Sequence, residues 1–130
     1  AQDLGVEGNV LFTGQVTDPE LHALYEKSRL FVMPSDGDGF GLVFLEAMMR
    51  RLPCVGLKDS AANEIFNQGD CGLLVDRNDI EELAKTVLDL LLDEEHRDHM
   101  GEAGFVRYRS VFTGKHHSER LNRILLDLLQ

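Results

Sequence analysis

Between Pro34 and Glu46 the chain reads Pro-Ser-Asp-Gly-Asp-Gly-Phe-Gly-Leu-Val-Phe-Leu-Glu. An apolar run ending at Met33 feeds into this stretch, glycine recurs at 37, 39 and 41, and from Leu42 the pattern becomes helical. A buried strand passing through a glycine turn into a helix is the junction of an α/β fold, and it leaves few other architectures open. The first amides of a helix lack intrahelical partners and lie at the positive end of its dipole. Gly37, Gly39 and Gly41 let a ligand approach that backbone without meeting a Cβ, so the loop is a candidate phosphate cradle. Glu46 lies one turn into the helix, roughly 6 Å along its axis, on the same face as Leu42. A carboxylate there is placed to accept hydrogen bonds from sugar hydroxyls, and Asp38, inside the loop, to do the same for a second sugar beyond the phosphates.

At 130 residues the chain is long enough for one domain with its own core. Its net charge of -10, from 23 acidic and 13 basic residues, argues against nucleic acid or an anionic membrane as the main partner. A diphosphate would have to be held by local amides rather than by the global field. Cys54 and Cys71 form no Cys-x-x-Cys pair and point to a reducing, cytoplasmic setting. No apolar run has the length of a membrane span, and residues 1–8 do not read as a signal peptide.

Taken in order, residues 2–8 read as a helix tail ended by Gly5 or Gly8, and Val10 to Thr13 as a short parallel strand. Gly14-Gln15-Val16 would leave that strand at its carboxyl end, where open α/β sheets bind ligands; an ordinary strand-to-helix turn is the alternative. Thr17-Asp18-Pro19-Glu20 is a capping box that starts a helix to about Ser28, with Leu21, Leu24 and Tyr25 as its apolar stripe. Strands are expected at Leu30 to Met33, Pro53 to Leu57 and Leu73 to Val75. Between them lie a helix from Leu42 to about Arg51, with Leu42, Leu45, Met48 and Met49 as its core face, and a short helix beginning at Glu64 and ending near Gly69. Asp76 to Asn78 caps a helix over Ile80 to Leu92 that packs on Leu83, Val87, Leu90 and Leu91. Glu94 to Phe112 and Lys115 to Leu129 follow as two more helices. The predicted fold is α/β, a partial Rossmann-like parallel sheet of about four strands with helices on both faces.

The remaining chemistry is sparse. His96 and His99, and the adjacent His116 and His117, come without a third ligand at zinc spacing, so no metal site is expected. There is no glycine-serine-glycine elbow, no Ser-His-Asp set and no complete Walker-type motif, and hydrolytic chemistry is unsupported.

Asp38 to Glu46, with Gly-Phe-Gly-Leu between them and Glu-Ala-Met closing, resembles the acidic-x7-Glu signature of the group 1 (family 4-like) retaining glycosyltransferases of the GT-B fold. Val10-Leu11-Phe12-Thr13-Gly14-Gln15-Val16 upstream, and Leu52-Pro53-Cys54-Val55, Glu64 and Gly72-Leu73-Leu74-Val75 downstream, extend the resemblance over about positions 5 to 92. It implies half of a GT-B architecture: residues 1–130 as a single C-terminal donor-binding domain, lacking its first strands and the N-terminal acceptor domain. It implies catalytic or donor roles for Asp38 and Glu46, donor contacts from Gly39, Phe40, Gly41 and Leu42, and base contacts from Gly14 and Val16. The implied partners are a nucleotide-sugar donor such as UDP- or GDP-hexose and a glycan or lipid-linked acceptor held by the other domain, as in polysaccharide biosynthesis, with no metal cofactor and peripheral membrane contact through that domain. The fragment alone is expected to be inactive, and a last helix carrying Leu121, Ile124, Leu125 and Leu128 to expose an adhesive face. The chain departs from the family at Asp38, where Glu is usual, at Arg51, where a glycine usually ends the helix, and at Ser60-Ala61, which replace a glycine pair. These departures favour the competing reading, a non-catalytic nucleotide or sugar-phosphate binding module with a regulatory role.

Overall fold

The computed structural model describes residues 2–35, 41–66 and 70–114. Three parallel strands, β1 (Phe31–Met33), β2 (Cys54–Leu57) and β3 (Leu73–Val75), form one sheet in the order β1-β2-β3. Phe31 pairs with Cys54 and Val55 with Leu73, so the strands run in register from one edge to the other. Every residue of β2 is buried, as a central parallel strand covered on both faces must be. Side chains alternate across it: Cys54 joins a core with Phe44, Met48 and Phe66, whereas Val55 and Leu57 join a second core with Val75, Leu90 and Met100.

Helices cover both faces, as expected. On the first lie α1 (Asp18–Lys27), α2 (Leu42–Met49) and α3 (Ala61–Phe66), and α4 (Ile80–Leu92) packs on the second. The last described helix, α5 (Glu94–Arg107), contacts both α2 and α4 and runs on into a π-helical turn, Tyr108–Phe112. Asp93 makes the corner between α4 and α5. It ends the first helix and its side chain accepts from the His96 amide at 2.9 Å at the start of the second. Arg97, buried beneath the corner, donates to the carbonyls of Leu90 and Leu91 at the end of α4. The capping box at Thr17 forms through the Glu20 carboxylate, which accepts from the Thr17 amide and hydroxyl at 2.8 Å each and is thereby held below its usual pKa.

Several boundaries differ from the sequence reading. Residues 2–4 and 7–9 form 3₁₀ turns rather than a helix tail. The strand expected at Val10 to Thr13 does not form, and Leu11 and Phe12 are 79% and 81% exposed. A parallel strand exists only through a neighbour's ladder, and β1 pairs with β2 alone, so the described sheet has three strands and not four. α2 turns a different face inward: Phe44, Ala47 and Met48 are buried, while Leu42 and Met49 at its two ends are exposed. The short helix α3 starts at Ala61 instead of Glu64, because the Ser60 hydroxyl accepts from the Ala62 amide and begins the helix there. The cap of α4 is Asp79, beyond the expected Asp76 to Asn78, and Leu91 on that helix is 41% exposed rather than packed inward. The predicted helix at Lys115 to Leu129, His116 and His117, and the predicted helix end at Gly69 lie outside the described residues. No helix among the described residues is long and apolar enough to cross a membrane.

Candidate functional site

The carboxyl ends of β1 and β2 and the start of α2 share one edge of the sheet, and Gly41 is its pivot. Gly41 is the residue before the helix, with φ of 65°, and it is buried. A Cβ there would stand 2.6 Å from Ile65 Cδ1 and 3.2 Å from the Ala61 Cβ of α3, so both backbone conformation and space demand glycine. Having no side chain, Gly41 cannot cap α2, and among the described residues no side-chain hydrogen bond closes the helix start. Of the first amides of α2, that of Phe44 donates to the Gly41 carbonyl at 3.0 Å, and those of Leu42 and Val43 have no partner among the described residues. Leu42, the first helical residue, is 63% exposed beside them.

Glu46 lies one turn further on, half-buried, and its carboxylate is not isolated. The Tyr25 hydroxyl, from α1, donates to Oε2 at 3.2 Å. Arg50, one turn beyond, donates from Nη1 to the Glu46 carbonyl at 2.9 Å and lays its guanidinium 4.8 Å from the centre of the Tyr25 ring. Burial, the Glu46 charge and its hydrogen bond together push the Tyr25 hydroxyl up to about 12, against the opposing pull of Arg50.

Gly14, with φ of 60°, and the half-buried Val16 lie in the segment that leads into α1. Asp38, Gly39 and Phe40 lie outside the described residues. The structure therefore brings Gly41, Leu42 and Glu46 onto one helix and ties that helix to α1 through Tyr25. Glu64 is exposed in the middle of α3, and its carbonyl accepts from Arg107 of α5 at 3.0 Å. His96 and His99 are exposed on α5, and among the described residues no three His, Cys, Asp or Glu side chains are grouped as a metal site. A cleft of about 400 Å³ opens on the opposite edge, where β1 and β2 begin, lined by Tyr25, Arg29, Arg50, Arg51, Pro53 and Arg97 among others. Sequence reasoning placed Tyr25 in an apolar stripe and missed its link to Glu46. The signal was the hydroxyl itself, since a buried tyrosine usually finds a polar partner.

The family described as glycosyl transferases group 1 matches residues 1–107. A GDP-mannose-dependent alpha-(1-6)-phosphatidylinositol monomannoside mannosyltransferase of Mycobacterium tuberculosis is 35% identical over 111 residues, 80% of this chain and 29% of the relative. An N-acetyl-alpha-D-glucosaminyl L-malate synthase of Bacillus anthracis is 31% identical over 129 residues, 99% of this chain and 33% of the relative. Among solved structures, sucrose-phosphate synthase from Thermosynechococcus elongatus superposes with a TM-score of 0.85 at 25% identity, covering 98% of this chain and 32% of that one. The chain thus spans about a third of the length of the proteins it matches. The matched span, the level of identity and the shared α/β architecture agree: the chain belongs to the group 1 glycosyltransferase family.

Proposed function

We propose that this chain is the donor-binding half of a retaining glycosyltransferase. In the longer protein it would hold a nucleotide-sugar, such as a UDP- or GDP-hexose, while a hexosyl group passes to a glycan, lipid or other acceptor. The observation that carries the reading is the glycine-started N-terminus of α2, without a side-chain cap among the described residues, with Glu46 one turn behind it. Diphosphate oxygens would take the free amides, and the Glu46 carboxylate would accept from ribose hydroxyls. Asp38 would contact the transferred sugar, Gly39 and Phe40 would complete the loop, and Gly14 and Val16 would face the base. The reading calls for no bound metal: helix amides, with cationic side chains elsewhere in the longer protein, would take up the charge of the leaving diphosphate. Buried, reduced Cys54 and Cys71 support a cytoplasmic setting, and peripheral membrane contact, like acceptor binding, would come through the rest of the protein.

The test is calorimetry with GDP, UDP and the matching hexose conjugates, alongside a transfer assay, on the full-length protein that carries this chain, as wild type and as Glu46→Gln and Asp38→Asn. Glu46→Gln should weaken free nucleotide and nucleotide-sugar alike, by roughly 1.5–3 kcal/mol for a hydrogen bond to a charged group. Asp38→Asn should spare the free nucleotide and lower turnover. Unchanged affinity in Glu46→Gln, with only a lower melting temperature, would reduce Glu46 to a structural carboxylate and remove the donor-site assignment.

A further inference from the structure

Tyr25 is the one buried residue of α1, 7% exposed, and it is held from several directions. Its ring lies 6.0 Å from that of Phe31 in β1, tilted by 40°, and takes the Arg50 guanidinium at 4.8 Å. Arg50 is itself anchored on the Glu46 carbonyl. A ring so confined has little freedom to swing, and its hydroxyl is aimed at one carboxylate oxygen, Glu46 Oε2. No hydrogen bond to Oε1 is found among the described residues.

We infer that Tyr25 is a positioning residue for Glu46: its hydroxyl occupies one carboxylate oxygen and so sets the plane in which the other is presented to a ribose diol. This rests on the donor-site reading above. A carboxylate has about four acceptor positions, so a single hydroxyl orients it without exhausting it. At 3.2 Å the bond is longer than the optimum for a hydroxyl on a carboxylate, and it directs Glu46 while leaving the other acceptor positions open. The high pKa of Tyr25 keeps the hydroxyl a donor throughout the neutral range. Ordering a flexible glutamate before the ligand arrives lowers what binding must spend on it.

The variant is Tyr25→Phe, made in the full-length protein that carries this chain, and the probes are GDP, UDP and their 2′,3′-dideoxy analogues. Affinity for GDP or UDP should fall roughly three- to tenfold, the range of one neutral hydrogen bond. Affinity for the dideoxy analogues should stay at the wild-type value, and Tyr25→Phe should add nothing in a Glu46→Gln background. An equal loss for ribose and dideoxy ligands would mean that Tyr25 serves packing only and would overturn the inference. So would wild-type affinity in Tyr25→Phe when Glu46→Gln is impaired, and that result would leave the donor-site reading standing. A wild type that binds neither GDP nor UDP would overturn the donor-site reading and this inference with it.

Discussion

Arg51 is the residue at which the end of α2 meets the packing of α5. It adopts φ of 56°, the left-handed conformation that glycine accepts most easily, and it is compensated by its side chain. Its guanidinium lies 3.7 Å from the centre of the Phe105 ring and its Nε donates to Glu102 at 2.7 Å, both on α5. The partially exposed ion pair contributes little, about 0–1 kcal/mol, and the cation–π contact about 0.5–1 kcal/mol. Those gains are of the size of the backbone relief that glycine would bring, so Arg51→Gly should leave the free energy of urea unfolding within about 0.5 kcal/mol of wild type. Gly101 is a different matter. A Cβ there would land inside contact distance of the Arg51 carbonyl oxygen, which is backbone and cannot swing away. Gly101→Ala should therefore cost about 1–3 kcal/mol in urea unfolding, despite the better helix propensity of alanine. Nothing in the sequence marked this contact, because the two residues lie fifty apart and neither carries a local pattern that names the other.

At the scale of elements, the aromatic row under the sheet does most to position the site. The Phe44 ring stands edge-on to Phe31 at 5.6 Å and to Phe66 at 5.2 Å, linking α2, β1 and α3. It also lies over Gly56 of β2, where a Cβ would come within 3.0 Å of Phe44 Cζ. Phe44→Ala should lower stability by about 3–5 kcal/mol in urea unfolding, and weaken nucleotide binding by loosening the start of α2. Phe44 was not expected in the core, because the stripe drawn through Leu42, Leu45, Met48 and Met49 assumed that α2 buries its most apolar line from end to end. Its first and last residues, Leu42 and Met49, are instead exposed. β3 was legible to the residue because Gly72 and Asp76 bracket three apolar residues. The capping box of α1 was legible because it is purely local. Val10 to Thr13 failed for the converse reason: an apolar run announces strand propensity, but a ladder needs a neighbour that the run itself does not name. The glycine junction was readable because the passage from an apolar run through glycines to a helical pattern at Leu42 is local, whereas the hand of Tyr25 on Glu46 follows from how α1 is laid against α2.

For the molecule as a whole, the pKa shifts set how stability answers pH. Burial raises the thiols of Cys54 and Cys71, and burial with the Glu46 contact raises Tyr25 to about 12, so in each case the folded state favours the neutral form. Lys58, hydrogen-bonded to Asp76, and Lys85, hydrogen-bonded to Asp89, are raised as well, favouring their charged forms. All five contributions are complete below the ordinary values of these groups and are lost as pH rises through the folded ones. Glu20 runs the other way, its share lost as pH falls below the usual glutamate range. The melting temperature should accordingly decline on the alkaline side, and between pH 10 and 12 the decline should be shallower in Tyr25→Phe than in wild type. An identical alkaline slope in the two proteins would contradict the assignment of that step to Tyr25. Arg107, finally, grips the carbonyls of Glu64 and Ile65 from across the fold, and Ile65 is the side chain pressed nearest to Gly41. The far end of α5 is therefore a stay rigged to the residue from which α2 starts. Slackening it, by a lesion near Phe112, should loosen the seat of Gly41 and with it the start of α2 from the far side of the fold.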